Sequence, residues 1–75
     1  MSQSHTTSRL LRLPAVESLV GLKRARLYNL IAEGAFPKQV HLGDAPNSPV
    51  AWPEHEIQAW INRRIAMRDQ ATEEF

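Results

Sequence analysis

The segment 21–34 constrains the fold most, because it reads as a short amphipathic helix with a glycine at each end. Leu27, Leu30 and Ile31 follow the i, i+3, i+4 spacing that places side chains on one face of an α-helix. The second glycine stands where helices often end in a left-handed residue. The pattern predicts a helix over 23–33 with an apolar underside and an outer surface that carries arginine, asparagine and tyrosine.

A shorter helix is predicted over 14–20, directly before this segment. Pro14 fits the first turn of a helix, where its missing N–H has no partner to lose, and Gly21 then ends the helix. Two short helices joined by a tight turn that contains glycine, the second of them basic, form a helix-turn-helix. The same pattern also occurs where two helices simply pack together, and the spacing alone leaves that alternative open.

The rest of the chain predicts a β-hairpin and a last helix. Polar and apolar residues alternate over 38–42, as in a half-buried strand. Turn formers fill 43–49, and 50–52 form the return strand, so that the two strands make a wing. Residues 9–13 are predicted as an extended lead-in that docks on the core.

Pro53 is predicted to occupy the first position of the last helix, in which apolar residues recur along one stripe. The fold class is therefore mainly α with a small β-hairpin, a winged helix-turn-helix. Its domain spans 9–68, between a disordered tail over 1–8 and a frayed acidic tail over 69–75. The predicted core consists of Leu13, Val16, Leu19, Leu22, Leu27, Leu30, Ile31, Phe36, Val40, Trp52, Ile57, Trp60, Ile61 and Ile65.

The composition argues against several classes of function. The 75 residues contain no cysteine and no apolar run of membrane-spanning length, so neither a disulfide framework nor a membrane partner is expected. The first residues do not resemble a secretory signal, and a cytoplasmic location is predicted. The three histidines share no helix face, and no nucleophile–base pair or phosphate-binding glycine loop is found. We expect no enzyme, metal site or cofactor.

Charge is distributed unevenly along the chain. Residues 9–43 carry six Lys or Arg against two Glu, whereas residues 44–75 carry three Arg against six Asp or Glu. Such asymmetry is typical of a protein with one surface that faces a polyanion. Ordinary solvation of a charged surface is the alternative.

The chain resembles the AlpA-type phage regulators, which share a MerR-like winged-helix fold with small excisionases. The resemblance covers residues 9–68. Its most specific parts are Glu-Gly-x-Phe-Pro-Lys over 33–38 and Trp-x-Glu-x-Glu-Ile-x-x-Trp-Ile over 52–61. It implies a sequence-specific regulator of transcription in a prophage or mobile element that binds double-stranded DNA. The alternative function is an excisionase, a recombination directionality factor that bends an attachment site and contacts an integrase.

Helix 23–33 would then read the major groove, and the wing would touch the adjacent backbone. Similar proteins have Ser or Thr where this chain has Lys23, which leaves the helix start uncapped but offers a phosphate contact. The wing loop lacks the usual arginine, and we expect tandem or dimeric binding because one small reading helix covers few base pairs. The expected DNA-binding residues are Lys23, Arg24, Ala25, Arg26, Tyr28, Asn29, Lys38, His41, Asn47 and Ser48.

Some of these assignments have alternatives. Arg24 and Arg26 are the main candidates for base or phosphate contact, because arginine can donate a bidentate pair to guanine. Asn29 either reads adenine or is an ordinary surface residue. Tyr28 either donates its hydroxyl to a phosphate or packs at the edge of the core.

Overall fold

The computed structural model describes residues 8–72. A small three-stranded antiparallel sheet, in the order β1-β3-β2, packs with three helices. The predicted mainly helical fold with a hairpin wing is confirmed, and the lead-in adds the third strand. Residues 1–7 of the predicted first tail and 73–75 of the second lie outside the described residues. In chain order the elements are β1 (Leu10–Leu11), α1 (Leu13–Val20), α2 (Arg24–Ala32), β2 (Val40–His41), β3 (Val50–Pro53) and α3 (Glu54–Thr72).

The two glycines end their helices as predicted. Gly21 and Gly34 have φ angles of +78° and +76°, a left-handed conformation that glycine adopts without strain. After α2, the Gly34 N–H donates to the Ile31 carbonyl over 3.0 Å, and the Ala35 N–H donates to the Leu30 carbonyl over 2.8 Å. This pair of hydrogen bonds is a Schellman motif, and it turns the chain sharply away from α2 toward the wing.

The start of α3 is capped by residues from the other end of the chain. The Glu54 N–H donates to the Arg9 carbonyl over 2.7 Å, and the His55 N–H donates to the Ser8 hydroxyl over 3.0 Å. Ser8 thus satisfies a helix donor in the way an N-cap residue does, although the prediction placed it in the tail. Pro53 ends β3 opposite Leu10 instead of opening the helix, because the lead-in strand extends the sheet up to that residue.

An ion pair joins the same two ends of the chain. Arg9 donates from Nε and Nη2 to the two carboxylate oxygens of Glu54 over 3.1 and 2.9 Å. These hydrogen bonds, with the attraction between the charges, lower the pKa of Glu54 and raise that of Arg9. Because the carboxyl pKa is lowered in the folded state, the contribution of the pair to stability is present at neutral pH. It is lost as the pH falls through that pKa.

The core is smaller than predicted. Of the predicted core residues, Val16, Leu27, Phe36, Trp52 and Ile57 are buried. The buried Leu11 and Ala51 were not predicted, because neither follows a helical stripe. The prediction was wrong for Leu19, Val40 and Ile65, which are exposed. Leu19 and Ile65 belong to apolar stripes of α1 and α3 that extend beyond the packed region, and Val40 lies on the edge strand β2.

Other boundaries also differ from the sequence patterns. Only Val40 and His41 pair with β3, through Ala51 and Val50, so the first wing strand is shorter than the alternation over 38–42 predicted. At the other end, α3 continues to Thr72, past the predicted domain boundary at residue 68. Helical propensity sustains these last turns, since residues 62–71 are exposed.

Candidate nucleic-acid interface

The outward face of α2 consists of small side chains. Ala25, Asn29 and Ala32 are exposed and share one side of the helix by their spacing, whereas Leu27 on the opposite side is completely buried. A helix with small residues at the centre of its exposed face can approach another surface closely. Its diameter of about 10–12 Å matches a major groove about 12 Å wide.

One edge of this face is formed by Arg24 and Tyr28. The Arg24 guanidinium lies over the Tyr28 ring, 5.5 Å from its centroid, a cation–π contact that holds the arginine along the helix. The Tyr28 ring meets Trp52 edge-on, with 6.2 Å between centroids. Tyr28 therefore packs at the edge of the core, which is the packing role considered for it, and it orients Arg24 at the same time.

Arg26 lies on the other edge. It lines an open groove together with Leu30 of α2 and with Trp60 and Arg64 of α3. Arg24 and Arg26, the two main candidates for DNA contact, thus lie on opposite flanks of the outward face. They can therefore contact different partners independently.

Two tryptophans hold α2 in place through the loop that follows it. The Trp52 Nε1–H donates to the Pro37 carbonyl over 3.0 Å, and the Trp60 Nε1–H donates to the Ala35 carbonyl over 2.8 Å. Phe36, between these two carbonyls, is buried and meets the Trp60 ring edge-on at 4.9 Å. The indole donors thus fix the loop between α2 and the wing, so that both tryptophans have a structural role, as predicted.

Lys23 is the N-cap residue of α2 and makes no side-chain capping bond, as predicted. We expect Lys23→Ser to raise the free energy of unfolding by about 0.5–2 kcal/mol, because the hydroxyl can accept an orphan N–H of the first turn. Urea denaturation measures this change, with Lys38→Ser as the matched control outside the helix. An unchanged midpoint would mean that the first turn is already satisfied by water.

The wing residues His41 and Ser48 contact each other. The Ser48 hydroxyl donates to the Gly43 carbonyl over 3.2 Å and lies 3.1 Å from His41 Nδ1. The contact holds the His41 imidazole against the wing loop. Asn47, on the wing loop, and Lys38, directly after Pro37, are both exposed.

Two residues at this surface were missed by the sequence reasoning. Ala32 completes the outward face, and its spacing of seven from Ala25 was the available signal. Arg12 is exposed and donates from Nε to the carbonyl of Val50, where the wing returns into β3. Only the tertiary structure brings Arg12 to the wing, so the sequence held no signal for it.

Among residues 8–72, no group of three or more His, Asp or Glu is arranged to hold a metal ion. No helix within this part of the chain is both long and apolar enough to cross a membrane. The exposed face of α2 with its two flanking arginines is therefore the main candidate for a functional site among the described residues.

A family model described as prophage CP4-57 regulatory protein (AlpA) matches residues 9–65, from the lead-in strand into α3. The chain belongs to the AlpA family. This family consists of DNA-binding regulators associated with phages and not of enzymes, which agrees with the sequence analysis. No solved structure matches the chain.

Two relatives illustrate the similarity. The first, from Enterobacteria phage P4 and described as uncharacterized protein ORF88, is 48% identical over 63 residues, which is 84% of this chain and 68% of that protein. The second, from Escherichia coli (strain K12), is described as DNA-binding transcriptional activator AlpA. It is 37% identical over 65 residues, or 79% of this chain and 89% of that protein.

Proposed function

We propose that this chain binds a specific site on duplex DNA by inserting α2 into the major groove, and that it regulates transcription there. The observation that carries the proposal is the exposed face of α2, small at its centre and flanked by Arg24 and Arg26. The description of the E. coli relative as a transcriptional activator favours activation as the direction of regulation.

Each part of this face has a distinct chemical role. Asn29 at the centre can pair its amide with N6 and N7 of adenine, and the methyl group of Ala25 can contact a thymine methyl. Arg24 and Arg26 can each donate a bidentate pair to guanine or neutralise a phosphate. Lys23 at the uncapped helix start can contact a phosphate together with the free N–H groups of the first turn.

The wing makes a smaller contribution. Its loop over 43–49 carries Asp44 and no cation, and the hydroxyl of Ser48 is already hydrogen-bonded within the wing. Asn47 and backbone amides remain as donors toward the DNA backbone, with Lys38 and Arg12 near the base of the hairpin. Sequence reading therefore rests on α2, and the wing positions the protein.

Asp44→Lys tests whether the wing lies near phosphates. We expect this variant to bind non-specific duplex DNA several-fold more tightly and to steepen the salt dependence of binding, because it replaces a carboxylate by a cation. Fluorescence anisotropy over a series of salt concentrations measures both effects. Glu56→Lys, in the first turn of α3 and away from the wing loop, is the control for net charge. Equal effects of the two variants would place the wing away from DNA.

Selection of bound fragments from the source genome tests the function itself. We expect enrichment of a defined site whose affinity falls linearly with the logarithm of salt concentration, with a slope of about −0.9 per phosphate contact. Enriched promoter fragments and activated transcription in a reporter assay would support the regulator. Enriched attachment sites that are bent on binding would support the excisionase alternative and an integrase partner. Absence of binding to any duplex at low salt would contradict both.

A further inference from the structure

Two hollows meet at Trp60 and form one groove, which we name the Trp60 groove. The larger hollow, of about 460 Å³, lies between the end of α1, one flank of α2 and the middle of α3. The smaller, of about 370 Å³, lies between α3 and the loop that follows α2. Ala35, Trp60 and Arg64 line both hollows. The groove therefore follows the middle of α3 and passes the end of α2.

The walls of the groove are apolar and poorly covered. Leu19 and Ile65 in the larger hollow are 52% and 43% exposed, and Met67 in the smaller hollow is 55% exposed. Trp60, Arg64 and Met67 follow the spacing of one row along α3, and this row is about 10 Å long. An exposed apolar surface of this length offers about two turns of contact to another helix.

The charged residues that line the groove have one sign. Arg26 and Arg64 line the larger hollow, Arg63 and Arg64 line the smaller one, and no carboxylate lines either. Arg64 lies along the row between the hollows, with its guanidinium 5.9 Å from the centroid of the Trp60 ring and Nη1 3.8 Å from the Met67 sulfur. Within residues 8–72, none of the three arginines forms an ion pair. The groove thus combines apolar walls with cations that have no counter-charge in the described part of the chain.

These properties distinguish between classes of occupant. A small molecule needs a site that encloses most of its surface, whereas this groove is open along its length. The backbone of duplex DNA offers phosphates but no apolar side chains, so it would leave Leu19, Ile65 and Met67 uncovered. An amphipathic polypeptide with carboxylates supplies both complements, since its apolar side chains cover the exposed walls and its carboxylates accept hydrogen bonds from arginine.

We propose that the Trp60 groove binds an acidic amphipathic helix of a partner protein. The apolar side chains of this helix enter the hollows on both sides of Trp60, and its carboxylates meet the three arginines. Ala25 and Asn29 are not among the residues that line the groove, so the outward face of α2 stays open. The chain can therefore hold a second protein while this face contacts DNA. Binding in the groove does not rest on the DNA-binding proposal.

A synthetic peptide tests the proposal on the full chain in the absence of DNA. The probe is a fluorescein-labelled helical peptide about 15 residues long, with leucine along one face and glutamate on both flanks. In fluorescence anisotropy it should bind with a dissociation constant in the micromolar range at low salt, and more weakly as salt is raised. The same peptide with lysine for glutamate, or with serine for leucine, should bind about tenfold more weakly. Absence of binding, or equal binding of the three peptides, would overturn the proposal.

Two indole N–H signals locate the bound peptide in a proton–nitrogen correlation spectrum. Trp60 lines both hollows, whereas Trp52 is completely buried. The Trp60 signal should shift during the titration, and the Trp52 signal should stay in place. Shifts of the Ala25 and Asn29 amides without a shift of Trp60 would place the peptide on the outward face of α2 and contradict the proposal.

Two variants test the apolar and the charged part of the groove. Arg64→Glu should weaken binding of the acidic peptide about tenfold, because carboxylates then face each other, and Leu19→Ser should weaken it several-fold. Both positions are exposed, so the fold is kept, and an unchanged Trp52 signal verifies this. Arg24→Glu, on the opposite flank of α2, is the charge-matched control and should bind the peptide as the wild type does. Equal losses for Arg64→Glu and Arg24→Glu would mean non-specific attraction and would overturn the proposal.

Two further measurements detect an occupant that comes from the chain itself. The Glu73→Gln, Glu74→Gln variant removes two acidic charges after α3 and should bind the peptide with unchanged affinity. Sedimentation equilibrium without the peptide should show no dimer that Leu19→Ser dissociates. Peptide binding that appears only in the double variant, or a dimer that depends on Leu19, would make the chain its own occupant and rule out the partner helix.

Discussion

Trp52→Ala is expected to lower the free energy of unfolding by about 3–5 kcal/mol, as removal of a large buried aromatic side chain does. Trp52 is completely buried, forms an edge contact with Tyr28 and donates its indole proton to the Pro37 carbonyl. A domain of this size has a stability on the order of 4–10 kcal/mol. The variant should therefore lose a large part of its stability, and its midpoint of unfolding should fall well below that of the wild type.

Urea denaturation followed by far-UV circular dichroism measures this effect. Trp52→Phe separates packing from hydrogen bonding, because it keeps an aromatic ring and removes the donor, and we expect a cost of about 1–3 kcal/mol. Leu42→Ala is the control, since this residue is 45% exposed and the expected cost is about 0.5 kcal/mol. Equal midpoints for Trp52→Ala and Leu42→Ala would mean that the sheet does not hold the core together.

The elements of the fold were predicted from local patterns wherever backbone chemistry decides the structure. Gly21 and Gly34 mark helix ends because a left-handed residue is needed there. The turn formers over 43–49 mark the wing loop in the same way. These signals belong to single positions, and the tertiary structure did not have to be known to read them.

Contacts between distant parts of the chain were not predictable in this way. Ser8 looked like part of a tail because its capping partner, His55, is 47 residues away. Leu19 and Ile65 fit apolar stripes of their helices, but the stripes continue past the packed region into an open groove. Periodicity gives the face on which a side chain lies, and only the packing of neighbouring helices decides whether that face is covered.

The candidate DNA interface likewise has one part that the sequence predicts and another that depends on tertiary contacts. Arg24, Ala25 and Asn29 are exposed on α2, and their role in reading DNA stays a prediction. Which flank each arginine occupies depends on the neighbours of α2, namely Trp52 of β3 on one side and Trp60 of α3 on the other. Sequence patterns carry no information on that arrangement. The arrangement changes the expected result of substituting the two arginines.

Arg24→Ala and Arg26→Ala are each expected to reduce the affinity for the specific DNA site by about 1–3 kcal/mol, if each reads a base. Because the two side chains lie on opposite flanks and contact different residues, their effects should be additive. The double variant should then lose about 2–6 kcal/mol, which is at least 30-fold in affinity. A cooperative pair would instead lose less in the double variant than the sum of the single losses.

Titrations at one fixed salt concentration, on the selected site and on variants with single base changes, measure this prediction. An arginine that reads a base should relax specificity at one base pair, whereas an arginine on a phosphate should lower affinity for all sequences and reduce the salt slope by about 1. Arg24→Lys keeps the charge but loses the planar fork that lies over Tyr28, so a loss close to that of alanine would indicate bidentate contact. Arg63→Ala, on α3, controls for net charge. If the double variant binds its site as tightly as the wild type, the assignment of α2 as the helix that reads DNA is wrong.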